Sequence, residues 1–191
     1  MVASRQGRTP GRRVIRRTVC AWLLCLASSV IASAQGTPLS DAQRVGVLLT
    51  ATQAEIAAGR IALRKTRSTS LRSFATRIVD ENAQIAQETD DMLRRVGAMA
   101  QPSSLSDALA RQSRDDTEML DQEDEYSFAQ AYLGREVDFL GRLVKTVDDF
   151  IRTTHSAEVK VLLVRARPAF TLHLDQARRL QLVFERPGFG H

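Results

Sequence analysis

The sequence predicts an all-α protein, an antiparallel four-helix bundle with one short extra helix behind a secretory signal peptide. Three observations carry that prediction. Beyond residue 34 only Pro38, Pro102, Pro168 and Pro187 interrupt the chain, and Ala, Leu, Arg, Gln and Glu, all good helix formers, fill the stretches between them. Apolar residues recur at spacings of three and four over four segments of roughly 25 residues, with no alternating run of useful strand length. The third observation is an arginine-rich start followed by an uncharged run.

Residues 1–34 read as the signal peptide. Arg5, Arg8, Arg12, Arg13, Arg16 and Arg17 precede, without any acid, the uncharged run Thr18–Ala34, which ends in Ala32-Ser33-Ala34, small residues where signal peptidase cuts. At 17 residues with three serines, that run is short and polar for a span of about 20. Leu24 before Cys25 and Val19 before Cys20 do not provide the small residue that a lipid-modified cysteine requires. Arg12-Arg13-Val14-Ile15 resembles a twin-arginine signal, but Arg16 stands where a hydrophobic residue is needed, which makes that route the less favoured one.

Cleavage after Ala34 changes the charge arithmetic. The whole chain has 27 Lys and Arg against 22 Asp and Glu, a net +5, whereas the chain from Gln35 onward has 21 against 22, a net −1. The basicity that would suggest nucleic acid belongs to the leader, and no aromatic and basic patch supports such a partner. Both cysteines leave with it, so no disulfide, thiolate ligand or cysteine nucleophile is expected in the processed protein.

A linker at 35–39 leads to a bundle domain at 40–184 and a tail at 185–191. Ser40 with Asp41 caps a first helix to about Thr66, carrying Val45, Leu48, Leu49, Thr52, Ile56, Gly59 and Leu63. Ser68-Thr69-Ser70 opens a second, with Leu71, Phe74, Ile78, Ile85, Met92 and Val96 on one face and Gly97 as its C-cap. After a loop through Pro102, Ser106-Asp107 caps the short extra helix to about Leu120, and Asp121 to Glu125 forms an acidic joint. The next helix, Tyr126 to Thr153, places Gly134 and Gly141 on one face, a spacing that suits close approach of a neighbour. The last, Ser156 to Val183, is expected to kink near Pro168.

Bundles hold metals through side chains projecting inward, so polar residues on apolar stripes are the candidates. Counting by threes and fours puts Asn82 on the second stripe with Glu81 beside it, Glu136 between Leu133 and Leu140, and His173 inward on the last helix, while Glu55 flanks Thr52 and Ile56. A di-iron centre needs about four carboxylates and two histidines, usually in Glu-x-x-His pairs. No Glu-x-x-His occurs here, and His155 and His191 lie at a helix junction and the terminus. A lone inward His reads first as a hydrogen-bonded core residue, and Glu55 and Glu136 read first as boundary residues paired with Arg. No catalytic residue and no cofactor motif emerges.

The segments Ala54-Glu55-Ile56, Gly59-Arg60-Ile61-Ala62, Phe74 to Asp80, Ala131-Tyr132-Leu133, and Pro168 with His173-Leu174 and Ala177 resemble, in order and spacing, the exported bacterial proteins grouped as domain of unknown function 4142. The resemblance spans about Leu48 to Leu180 and implies a ferritin-like helical bundle, in proteins often labelled outer-membrane proteins. Members carry a His two residues after the Asp of the second-helix motif, another eight after the Tyr of the third, and a third in the last; here Asn82 and Leu140 occupy the first two places and only His173 remains.

The expectation is therefore an exported, non-enzymatic bundle of the periplasm or cell envelope, acting through protein or surface contacts. The alternative is a ferritin-like metal binder using His173, Glu55, Glu81 and Glu136. A third reading, a weak membrane-surface binder, rests on Arg64-Lys65-Thr66-Arg67, Arg94-Arg95 and Arg178-Arg179, which read first as solvated helix ends.

Overall fold

The computed structural model describes residues 38–185; the expected signal peptide at 1–34, the first residues of the linker and the tail from 186 onward lie outside the described residues. Those residues form five helices: α1 (Asp41–Lys65), α2 (Thr69–Val96), α3 (Ser104–Gln122), α4 (Phe128–Thr153) and α5 (Ala157–Phe184). No described helix is long and apolar enough to cross a membrane.

Serines start four of them. The Ser40 hydroxyl accepts from the Gln43 amide while the Gln43 side chain accepts from the Ser40 amide, and Ser68 and Ser156 accept from the amides of Leu71 and Val159. Gly97 closes α2 at φ 63°, a left-handed conformation that favours glycine. α3 begins earlier than expected because Ser103 is its cap and Ser106 the reciprocal partner, bonded to the Ser103 amide at 2.8 Å. α4 begins later than expected: the Asp124 carboxylate accepts from the amides of Tyr126 (2.8 Å) and Ser127 (2.9 Å), which holds those residues in a turn before Phe128.

Tight turns at Thr66–Ser68 and Thr154–Ser156 reverse α1 into α2 and α4 into α5. Thr154 and Ser156 both bond Asp41, so α4 ends where α1 starts, and Glu81 meets His173 midway along the antiparallel pair α2 and α5. α3 runs parallel to α1: Gln101 donates to the Ala42 carbonyl at one end, and Arg64 pairs with Asp121 at the other. The four bundle helices thus run up, down, down, up. The extra helix is not a short appendage but a 19-residue crossover spanning the height of the bundle, the single long connection of ferritin-like topology.

This crossover explains α1. Packed by α2, α3 and α4, α1 buries Val45, Val47, Leu48, Ala51, Ala54, Ala58, Ile61 and Ala62, residues on most of its circumference. Two glycines allow that crowding. A Cβ on Gly46 would stand 2.1 Å from the Gln101 carbonyl oxygen, and one on Gly59 would stand 2.9 Å from the Val79 methyl. Gly134 and Gly141, expected to admit a neighbouring helix, instead face open space with nothing within 4 Å of a built Cβ. α5 continues through Pro168, which lies on its exposed side, where a missing amide hydrogen bond opens to water rather than into the core.

Candidate functional site

The most concentrated polar chemistry lies inside the bundle, where α1, α3 and α4 meet. Glu55 enters from α1 and Arg135 and Glu136 from α4, and the side chains of Glu55 and Glu136 are 0% exposed and that of Arg135 4%. The Arg135 guanidinium bonds Glu55, bonds Glu136 at 2.9 Å, reaches Asp116 of α3 at 3.2 Å and lies 4.2 Å over the Phe139 ring. Counting by threes and fours sets Glu136 on the apolar stripe of α4 and Glu55 beside that of α1, and both read first as boundary residues paired with Arg. The Arg pairing is present, but both residues are fully buried, Glu55 because α3 covers the side of α1 that a bare four-helix bundle would leave to water.

A buried carboxylate needs its charge answered. Burial pushes the Glu136 carboxyl well above the ordinary glutamate range, the neighbouring Glu55 charge pushes it further, and Arg135 only partly offsets both. The Tyr132 phenol, raised first by burial and then by the charge of Glu136, stays protonated. One oxygen of each carboxyl, Glu55 Oε2 and Glu136 Oε2, is left buried without a hydrogen-bond partner, as are the Tyr132 hydroxyl and Arg135 Nη2. Arg135 remains charged: burial works against it, but Glu55 and Glu136 outweigh that cost.

His173 and Glu81 form a second group on α5 and α2. His173 is 0% exposed and its Nε2 lies 2.9 Å from a Glu81 oxygen. Burial lowers the His173 pKa against the opposing pull of Glu81, so the ring is neutral and Nε2 carries the hydrogen given to the carboxylate. The Nδ1 atom has no partner. Asn82 is fully buried and donates to the Ile78 carbonyl one turn back at 2.8 Å. Leu140 is likewise fully buried.

The structure thus gathers Glu55 with Glu136, and Glu81 with His173, but not all four around one centre. Among the described residues no group of three or more His, Cys, Asp or Glu is arranged to hold a metal ion. Arg135 escaped the sequence reading. Its signal was its position beside Glu136 on a helix whose neighbours include Asp116, which a one-stripe count does not register. Three of the seven surface cations named above are paired with acids: Arg64 with Asp121 at 3.2 Å, Arg67 with Glu125 at 3.3 Å, and Arg94 with Asp91.

At the far end of the molecule, Asp41 ties α1 to the α4–α5 turn, accepting from the Thr154 hydroxyl (2.6 Å), the Ser156 amide (2.8 Å) and Arg44. Burial pushes this carboxyl up, but those donors prevail and hold it at about 2. These contacts position helices rather than assemble chemistry.

No curated protein and no solved structure matches the chain. The family model described as Domain of unknown function (DUF4142) matches residues 26–180, and the chain belongs to that family.

Proposed function

We propose that the protein is an exported, non-catalytic helical module of the bacterial cell envelope that acts through surface contacts with an envelope protein or surface. The observation that carries this reading is the closure of the polar core. A reacting group must touch its substrate, yet Glu55, Glu136, Asn82 and His173 are each 0% exposed. One oxygen each of Glu55 and Glu136 is engaged by Arg135 instead. The leader-like residues 1–34 support export.

The ferritin-like resemblance implies carboxylate and histidine ligands for metal, and the residues present do not fit that group. The cation between Glu55 and Glu136 is the chain's own guanidinium, and Glu81 is turned to His173 Nε2. Fractionation of producing cells, mass measurement of the N-terminus and elemental analysis of the recovered protein test the proposal together. The expected result is envelope or periplasmic protein beginning at Gln35, with a melting point indifferent to chelator. Unprocessed chain confined to the cytoplasm would overturn the export reading. Stoichiometric iron, manganese or zinc with a chelator-sensitive melt would replace the non-catalytic reading with metal handling.

A further inference from the structure

α5 is apolar on two opposite faces. One buries Leu163, Ala166, Phe170, Leu174 and Ala177, and the helix packs through it on α4 and α2. The other points outward. At about 100° per residue, Val161, Val164, Pro168 and Leu172 fall within about 40° of a single line opposite the buried face. Val161 and Val164 are each 50% exposed and Leu172 45%. A helix whose outer side meets water carries polar residues there, as α2 does with Thr76, Asp80, Gln84 and Gln87. α5 breaks that pattern: of the ten exposed large apolar side chains among the described residues, five are on this one helix. α1, the other helix with apolar residues on most of its circumference, is enclosed by α2, α3 and α4. Nothing among the described residues does the same for the outer face of α5.

We propose that this stripe is covered by the same stripe of a second copy, two α5 helices pairing antiparallel about a twofold axis at Pro168. In such a pair each residue before the axis comes level with the one equally far beyond it in the partner. Val164, four residues before Pro168, meets the partner's Leu172, four beyond it. The charges match in the same register. Lys160, eight before, comes level with the partner's Asp175, seven beyond, and Glu158, ten before, with the partner's Arg179, eleven beyond. Lys160 and Asp175 lie on one side of the stripe and Glu158 and Arg179 on the other, an arrangement that an antiparallel twofold preserves. Each contact occurs twice, and none of the four residues is held by an ion pair of its own chain among the described residues. The acids favour a protein partner over a lipid surface. Asp175 stands near the centre line of the stripe, where a membrane would set its carboxylate against acyl chains. An interface one helix wide belongs with the small, transient class, with a Kd on the order of 10 µM. The pairing goes beyond the export reading and does not depend on it.

Sedimentation equilibrium of the protein recovered from cells, over about 1–300 µM, reads the association directly. A monomer–dimer equilibrium is expected. V164S/L172S should weaken it about tenfold or more, because both copies lose the apolar centre of the contact. V96S/M99S removes exposed apolar surface away from α5 and should change it less than about twofold. K160E and D175K should each weaken it about fivefold, since each turns two attractive contacts into repulsive ones. An equimolar mixture of K160E and D175K should associate about as tightly as the parent, because each chain then supplies the charge the other lacks. Circular dichroism checks that every variant is folded, and the mixture tests the register without relying on any single one. A monomer at every concentration overturns the proposal. So does a mixture no tighter than its separate components, or an equal loss in V96S/M99S and V164S/L172S. Monomeric protein that sediments with phosphatidylglycerol vesicles, and loses that binding in V164S/L172S, assigns the stripe to a membrane and overturns the second copy. Monomeric protein found in the envelope sinks this pairing and leaves the export reading standing, whereas cytoplasmic protein that dimerises does the reverse.

Discussion

Replacing Arg135 by Met tests how the polar core is held together. The substitution keeps an unbranched side chain of similar reach over the Phe139 ring, so the packing lost is small, but it withdraws the cation from Glu55 and Glu136, both 0% exposed. Breaking a buried pair by removing one partner costs about 3–5 kcal/mol, because the remaining charge stays desolvated. For a domain of this size that corresponds to a fall in Tm of about 6–20 °C. The deficit also depends on pH in a defined direction. Without Arg135 both carboxyls must be neutral in the folded state, while in the unfolded chain they ionise in the ordinary glutamate range. The folded variant therefore holds more protons, and its stability drops as pH rises from about 5 to about 8, faster than in the parent. Urea denaturation across that range measures it, and adding E55Q to R135M should restore more than half of the loss by removing the stranded charge. A cost below about 1 kcal/mol near neutral pH, with no pH dependence, would refute the account of the core as an arginine-compensated carboxyl pair.

Glu136→Gln makes the same case from the other side. Because the folded-state pKa of Glu136 lies above the ordinary value, its contribution is greatest at acidic pH and declines as pH rises toward that folded value; the amide, which mimics the protonated carboxyl, should match the parent within about 1 kcal/mol at acidic pH and become the more stable of the two as pH rises toward neutral, read from urea midpoints. Asp41 has the opposite sign: its pKa is lowered from 3.8 to about 2, so its contribution is complete above 3.8 and is lost as pH falls toward 2. Asp41→Ala should cost about 1–2 kcal/mol near neutral pH and leave a shallower acid limb in the melting curve. Gly46→Ala, whose Cβ would stand 2.1 Å from the Gln101 carbonyl oxygen, should destabilise by about 1–3 kcal/mol, whereas Gly141→Ala, with nothing within 4 Å, should stabilise by about 0.5–1 kcal/mol. Calorimetry on the two glycine variants separates close approach from open surface.

The helices were legible because their boundaries depend on short-range chemistry. Ser40, Ser68 and Ser156 satisfy amides two or three residues ahead, and Gly97 takes a backbone conformation that other residues resist, so the local sequence contains all the information needed. Where two residues compete for one role, the boundary shifts. Ser103 and Ser106 are both serines ahead of a helix, and only their reciprocal bonding shows which one is the cap. The start of α4 moved for a similar reason, since Asp124 holds Tyr126 and Ser127 in a turn that apolar periodicity does not register.

The character of the core was not legible, and the cause is the position of α3. A count by threes and fours assumes that each helix has one buried face, which holds for α2 but fails for α1, enclosed on three sides. That assumption leaves Glu55 at the edge of the bundle, where an exposed partner would serve. Once the crossover covers that side, Glu55 loses water, and a fixed cation must come from within the chain. Arg135 supplies it from the neighbouring position to Glu136, and Asp116 on the crossover itself accepts from the Arg135 Nε at 3.2 Å. The long connection that creates the burial thus also helps to neutralise it. Removing the Asp116 carboxylate should cost far less than removing Arg135, because Asp116, with a side chain 17% exposed, leaves no sealed charge behind without an answer.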